Sequence, residues 1–393
     1  MDVKKIQLPL QTLSLSLGFM VWVILSSLIP FIQEDIALTS VQLAWVTAIP
    51  VLFGSVLRIP IGYWTNRFGA RTIFLISFIV LLAPIYYISV ASSFFDLMLG
   101  GLFLGVGGAI FSVGVTSLPK YYPKERHGFV NGIYGVGNIG TAITAFAAPV
   151  IATQIGWENT VLLYLVLIGI FILLNFILGD RAEPKVVASL SDQIKSVYRN
   201  EKLWLLCLFY FITFGAFVAF TVYLPNFLVN HFDLTKVDAG LRTAGFIVLA
   251  TVFRPIGGWL GDKKNPFMLL TIVFAGLTVS AIVLSFAPSI FIYTLGCLTI
   301  ACCAGVGNGV IFKLVPLYFS KQAGIANGLI SAMGGLGGFF PPLILSMLYS
   351  ITGHYAIGFM ALSQLALGSL ILVLWLQHQE KQRVKNSLVE LQS

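Results

Sequence analysis

The chain has 393 residues, of which 58% are hydrophobic and only 10% charged, with a mean hydropathy of +0.94. That composition excludes an ordinary water-soluble globule and specifies a membrane protein. The formal net charge of +8 raises the question of a nucleic-acid partner. None is expected, because the basic residues sit in short segments flanking apolar runs, where membrane topology accounts for them.

Apolar runs of the roughly 20 residues that a helix needs to cross a ~30 Å hydrocarbon layer recur almost without pause. Twelve can be drawn, at 8–31, 41–65, 72–92, 95–118, 128–152, 159–179, 203–229, 238–260, 267–287, 290–315, 323–350 and 354–377. Helices are expected, since backbone groups in lipid must be satisfied within the segment and the runs lack the alternation of a barrel strand. The first run is too long for a secretory signal and has no convincing small-residue cleavage site, so it reads as a retained helix. Cys207, Cys297, Cys302 and Cys303 fall in apolar spans without metal-ligand spacing and read as small buried side chains. No metal or other cofactor is expected.

Basic residues set the orientation. Lys4 and Lys5 precede the first span, Arg67 and Arg71 follow the second, and Lys120, Lys124 and Arg126 follow the fourth, whereas the alternate loops carry Glu34, Asp35, Asp96 and Glu158. Arg181, Lys185, Lys195, Arg199 and Lys202 mark the longest connection as cytoplasmic, and Lys381, Arg383 and Lys385 place the C-terminus there too. The expected organisation is an N-terminal six-helix bundle (1–179), a cytoplasmic connecting segment (180–202), a C-terminal six-helix bundle (203–378) and a cytoplasmic tail (379–393). Six helices per half make the halves parallel.

An internal duplication supports that division. Arg58-Ile-Pro-Ile-Gly62-Tyr-Trp-Thr-Asn66-Arg67 in the second span matches Arg254-Pro-Ile-Gly-Gly258-Trp-Leu-Gly-Asp262-Lys263 in the eighth, 196 residues on. Gly128-Phe-Val-Asn131-Gly132 matches Gly324-Ile-Ala-Asn327-Gly328 at the same offset, and Gly105-Val-Gly107 matches Gly305-Val-Gly307 at 200.

The two arginines are the informative residues. Arg58 precedes Asn66, near its helix end, by eight residues, which is about 12 Å of depth at 1.5 Å per residue. Arg254 and Asp262 repeat the arithmetic. A charge near mid-membrane costs about 2.5–3.5 kcal/mol on insertion scales and is tolerated where it meets a counter-charge, a cavity or a substrate. The twelve spans hold no Asp or Glu at comparable depth, and ~12 Å exceeds comfortable snorkelling reach. A pair of fixed, forked guanidinium groups suits a small oxyanion.

Gly62-Tyr-Trp-Thr-Asn66-Arg67-Phe-Gly69-Ala-Arg71, with its echo from Gly258 to Asp262 and Lys263, resembles the loop motif of the major facilitator superfamily. The stretches Asn131-Gly132-Ile-Tyr-Gly135-Val-Gly137-Asn138-Ile-Gly140 and Asn327-Gly328-Leu-Ile-Ser-Ala-Met-Gly334-Gly335-Leu-Gly337-Gly338 resemble the two nitrate motifs of its nitrate/nitrite porter family. The likeness extends from end to end and is strongest to compact bacterial respiratory nitrate/nitrite transporters. It implies an all-α membrane protein of twelve helices in two parallel six-helix pseudo-repeats, carrying nitrate and nitrite across a bacterial cytoplasmic membrane. It further implies that Asn138 lines the anion path, that Tyr210 lies near the substrate, and that Phe111 and Phe214 wall its pocket. Phe19 and Trp22 are further candidates of the same kind, and Phe312 is one by its place in the tenth span, which corresponds to that of Phe111 in the fourth. The inorganic anion and the bilayer are the partners implied, with no obligate protein partner.

Other readings follow from the residues themselves. The glycines Gly135, Gly137, Gly140, Gly334, Gly335, Gly337 and Gly338 suit close helix packing, and Asn327 suits packing or hydrogen bonding. Pro60 and Pro255 are expected to kink their helices locally. Lys313, towards a helix end, is expected to contact headgroups or attract anions. No cluster of His, Cys, Asp or Glu offers a catalytic constellation, so an enzyme is not expected. His127, His231, His354 and His378 lie in or beside loops, leaving no deep titrating group for proton coupling. Two unpaired positive charges resist closing into a dry state unless an anion joins them. That favours nitrate/nitrite exchange over nitrate/proton symport, over carriage of another monoanion such as formate, and over a non-transporting sensor.

Overall fold

The computed structural model describes residues 3–123, 126–185, 189–319, 322–352 and 356–390. Lys124 and His354 lie outside the described residues, as do the side chains of Lys4, Lys5, Lys381, Arg383 and Lys385. The long helices are α1 (Ile6–Asp35), α2 (Ser40–Phe68), α3 (Ala70–Ser89), α4 (Phe94–Tyr121), α5 (His127–Ile155) and α6 (Trp157–Leu178), then α7 (Glu201–Phe232), α8 (Lys236–Lys263) and α9 (Pro266–Ser285). They are followed by α10 (Ile290–Tyr318), α11 (Ala323–Thr352) and α12 (Ala356–Glu390). Eleven have the length and hydropathy of a membrane span over described residues. The twelfth, α11, is an unbroken helix of 30 residues. A short helix, Leu190–Val197, lies in the connection between α6 and α7.

Local chemistry sets the helix ends. Thr39 opens α2 with a capping box: its hydroxyl accepts from the Gln42 N–H at 3.2 Å and its own N–H donates to Gln42 Oε1 at 2.9 Å. Ser93, Asn200, Thr235 and Asn265 cap α4, α7, α8 and α9 through side-chain oxygens. Gly69 at φ 86° joins α2 to α3 and Gly156 at φ 82° joins α5 to α6. Both stand in the left-handed region where a Cβ is strained, so each turn is nearly loop-free. α12 runs to Glu390, past the expected end at 377. Residues 378–390 hold two each of Gln, Glu and Lys and no Gly or Pro, so nothing stops the helix where its hydropathy falls. α2 and α8 stay helical through Pro60 and Pro255, so these prolines do not break them.

Within the first half α2 packs along α4; within the second, α8 packs along α10. Between halves, α2 meets α11, α5 meets α8, and the end of α1 meets α7. The duplication persists in the contacts. A Cβ on Gly105 would lie 2.6 Å from the Gly54 nitrogen, and one on Gly305 would strike the Ala250 carbonyl. Gly54 and Ala250 differ by 196, Gly105 and Gly305 by 200, so both sequence offsets describe one packing repeated.

Acidic residues pin the periphery. Glu183, 4% exposed, accepts from the Ala70 N–H at 2.7 Å and pairs with Lys120 at 2.9 Å. The connecting segment is thereby fastened to the α2–α3 turn and to the end of α4. At the opposite ends of the helices Glu34 pairs with Lys236 at 2.5 Å, and Gln33 donates to Asn226 at 3.0 Å. Both contacts cross between the halves.

Candidate functional site

Arg58 on α2 and Arg254 on α8 converge at the interface between the halves, 0% and 2% exposed. Arg58 donates from Nε to the Gly108 carbonyl at 3.2 Å and from Nη1 to the Ser331 carbonyl at 2.5 Å, while its buried Nη2 has no protein acceptor. Arg254 donates from Nη2 to the Tyr210 hydroxyl at 3.3 Å, and its buried Nη1 has no protein acceptor. Each guanidinium is thus held in place with one edge still available.

The glycine motifs make room for both groups. A Cβ on Gly135 would lie 2.5 Å from Arg254 Nε; one on Gly335 would strike Ser55 Oγ and lie 3.3 Å from Arg58 Nη1. Ser331 and Gly135 are themselves 196 residues apart. Each arginine therefore reaches out of its own half to a corresponding place on the glycine-rich helix of the other.

Aromatic faces surround the charges. Phe111 lies 5.1 Å from the Arg58 guanidinium carbon and 5.2 Å from that of Arg254; Phe214 lies 5.1 and 5.9 Å from the same two atoms. The two carbons can be no farther apart than the sum of the paired distances. Trp22 adds a face to Arg58 at 5.8 Å and Phe312 one to Arg254 at 5.6 Å. Tyr210 stacks on Phe214 at 4.9 Å and meets Phe312 edge-on at 4.9 Å. Phe19 stacks on Phe111 at 6.4 Å.

Cation–π contacts are worth about 0.5–2 kcal/mol each, and hydrogen bonds from a charged donor about 1.5–3 kcal/mol. They hold a buried cation against a desolvation penalty of several kcal/mol without cancelling its charge. Among the described residues the ion pairs are Lys120–Glu183, Lys236–Glu34, Arg242–Asp238 and Lys313–Asp262, all at helix ends. None reaches the arginines. The site keeps a net positive charge in a buried, aromatic setting, an arrangement that can bind a small anion through donors from both sides.

The remaining candidates divide. Asn138, 1% exposed, stands in a 3₁₀ turn, Val136–Asn138, that interrupts α5, and its Oδ1 has no protein partner. Such tightened turns inside helices often mark working sites. Gly334 meets the Tyr210 ring, so Gly135, Gly334 and Gly335 adjoin the arginine pair. Gly137 and Gly140 instead press on Leu15 and Ser16, and Gly337 and Gly338 on Phe211 and Val218. These four hold α5 against α1 and α11 against α7. Asn327 is 3% exposed, in keeping with a packed position, and its Oδ1 has no protein partner.

The loop-motif residues lie away from the pair. Gly62 faces Ser112 and Thr116 at 3.6 Å. Asn66 is half-buried. Arg67 is exposed and bonds Tyr63 at 3.5 Å, Gly69 forms the turn, and Arg71 donates to the Phe176 carbonyl at 2.9 Å. Asp262 pairs with Lys313. Lys313 therefore has a carboxylate partner at the end of α8, which the reading of it as a residue that contacts headgroups or attracts anions did not include.

Three contributors escaped the sequence or were faint in it. The carbonyls of Ser331 and Gly108 are backbone acceptors and leave no mark in composition. Tyr134, fully buried, donates to the Ile110 carbonyl at 3.0 Å, accepts from the Gly114 N–H at 3.2 Å and lies 5.8 Å from Phe111. Its one signal was its place inside the first glycine stretch.

The Major Facilitator Superfamily model matches residues 12–342. The chain is 65% identical over 378 residues to the "Nitrite extrusion protein" of Bacillus subtilis, covering 96% of each chain. It is 55% identical over 383 residues to the "Probable nitrate transporter NarT" of Staphylococcus epidermidis, covering 97% of this chain and 99% of that one. Among solved structures, a bacterial homolog of the human lysosomal transporter Spinster, inward-facing and occupied, aligns at a TM-score of 0.64 with 17% identity, over 95% of this chain and 94% of that one. That likeness concerns the fold alone. By end-to-end identity, motif and architecture, the chain belongs to the major facilitator superfamily of secondary transporters and, within it, to the nitrate/nitrite porter family.

Proposed function

We propose that this chain carries nitrate and nitrite across a bacterial cytoplasmic membrane by alternating access, exchanging one anion for the other, with both termini in the cytoplasm. One observation carries the reading: two buried guanidinium groups, one from each half, share Phe111 and Phe214 and each keep a free N–H edge. The names of the two relatives supply the anion. A planar monoanion placed between the edges accepts from Arg58 Nη2 and Arg254 Nη1, and the Asn138 amide is the third polar group of the set.

Residues 1–179 and 203–378 rock as two bundles about this site. Without an anion, two like charges must share a low-dielectric space when the halves close, which costs free energy; a bound monoanion offsets it. Closing is therefore coupled to occupancy. Equilibrium binding of nitrate and of nitrite to the purified protein, with formate as competitor, tests the substrate assignment. Tight, mutually competitive binding of the two nitrogen oxyanions supports it, and preferential binding of formate overturns it.

A further inference from the structure

The second half contains an apolar cavity on its lipid-facing side. It holds about 350 Å³ between α7, α11 and α12, lined among others by Phe211, Ala216, Ala219, Phe340, Ile344 and Leu365. Phe340, Ile344 and Leu365 are 45%, 45% and 48% exposed on the outer surface of the helices, so the cavity is continuous with the face that meets lipid. Its depth follows from the register: residues 211–223 occupy the middle of α7, and 358–365 the start of α12. It spans the middle of the membrane and the leaflet in which α12 begins.

In the first half the corresponding helices are joined by side-chain hydrogen bonds. There α1, α5 and α6 are stitched together: Thr144 donates to the Met20 carbonyl at 3.1 Å and shares a hydrogen bond with Tyr164 at 2.8 Å, and Asn175 donates to Ser14 at 2.9 Å. The residues 196 further on from Met20 and Thr144 are Ala216 and Phe340. Both line the gap.

Physical chemistry chooses the occupant. Water needs two to four polar partners to stay in a cavity, and Tyr223 is the one lining residue with a polar side chain. An unfilled space forfeits the dispersion contacts of its walls. The one apolar material at that depth, in contact with the open side, is lipid hydrocarbon. We infer that the groove between α7, α11 and α12 is a binding site for one acyl chain of a membrane phospholipid.

The chain would rest against Gly337, whose backbone presses on Phe211, one turn from the place where Gly334 meets Tyr210. It thus supports the α7–α11 contact behind the aromatic wall of the anion site. Its binding does not depend on which anion is carried.

The test uses the full-length protein in vesicles of phosphatidylethanolamine and phosphatidylglycerol, doped with a phospholipid bearing a mid-chain diazirine. After illumination, adducts are mapped by peptide mass spectrometry. Expected are adducts on 211–223, 337–344 and 358–365 at least fivefold above those on the matching face of α1, α5 and α6. Ala219→Trp and Ala216→Leu, which fill the space, should each cut that labelling at least fivefold while an adduct site elsewhere on the belt is unchanged. Should one variant fail to insert, the other carries the comparison. Equal labelling of the two faces, labelling indifferent to filling, or labelling by diazirine-laurate but not by the phospholipid would each overturn the inference.

Discussion

Arg58 of the first half donates through Nη1 to the backbone carbonyl of Ser331 in the second, at 2.5 Å. A carboxylate in that position would neutralise the guanidinium. A carbonyl fixes its orientation and leaves its charge for a ligand. The bond also joins α2 to α11, so it must be remade whenever the halves separate on that side.

Arg58→Lys keeps the charge and removes the fork. The bonds to Gly108 and Ser331 cannot both be satisfied while an edge stays free for the anion. Nitrate affinity of the purified protein should fall about 10- to 100-fold, the loss of one charged hydrogen bond, with normal insertion into the membrane. Arg254→Lys should behave alike. Wild-type affinity in either variant contradicts the assigned role.

Gly135→Ala places a methyl carbon 2.5 Å from Arg254 Nε. The guanidinium must move, so transport in vesicles should drop at least tenfold while thermal stability in detergent stays close to wild type. Gly328→Ala is the control, since a Cβ there meets nothing within 4 Å. Its transport rate should be unchanged. Equal effects at the two positions would reduce the first to generic helix packing.

Tyr210→Phe retains the 4.9 Å stack on Phe214 and removes the hydroxyl that accepts from Arg254. One hydrogen bond to a charged donor, already long at 3.3 Å, is worth about 1 kcal/mol, so nitrate affinity should weaken roughly fivefold. Isothermal titration resolves a change of that size. A loss exceeding 100-fold would mean that the hydroxyl contacts the anion directly.

Gln33 and Asn226 bridge α1 and α7 at 3.0 Å. With the native cysteines replaced, Gln33→Cys and Asn226→Cys joined by a short cleavable thiosulfonate linker should arrest transport, and reduction should restore it. Full transport in the linked protein would show that the halves need not part there.

The fold was legible because lipid leaves a chain few choices: each apolar run became a helix, and Gly69 and Gly156, as the strained turns, mark two of the joints. Arg58 and Arg254 stood out as charges in apolar text. Tyr210, Phe111 and Phe214 did not, since one ring in a chain with 32 Phe and 14 Tyr carries no address; resemblance alone singled them out. Ser331 and Gly108 contribute carbonyls, which every residue has. The pairing of Lys313 with Asp262 was not legible, because Asp262 is 51 residues away in sequence on another helix.

The most direct measurement is uptake of isotopically labelled nitrate by vesicles containing the purified protein, either loaded with nitrite or free of internal anion, at equal pH on both sides. The proposed exchange mechanism predicts uptake into nitrite-loaded vesicles, no uptake into empty ones, and none in either with Arg58→Lys. Accumulation in empty vesicles under an imposed pH gradient would contradict obligatory exchange. Undiminished uptake by Arg58→Lys would contradict the site itself.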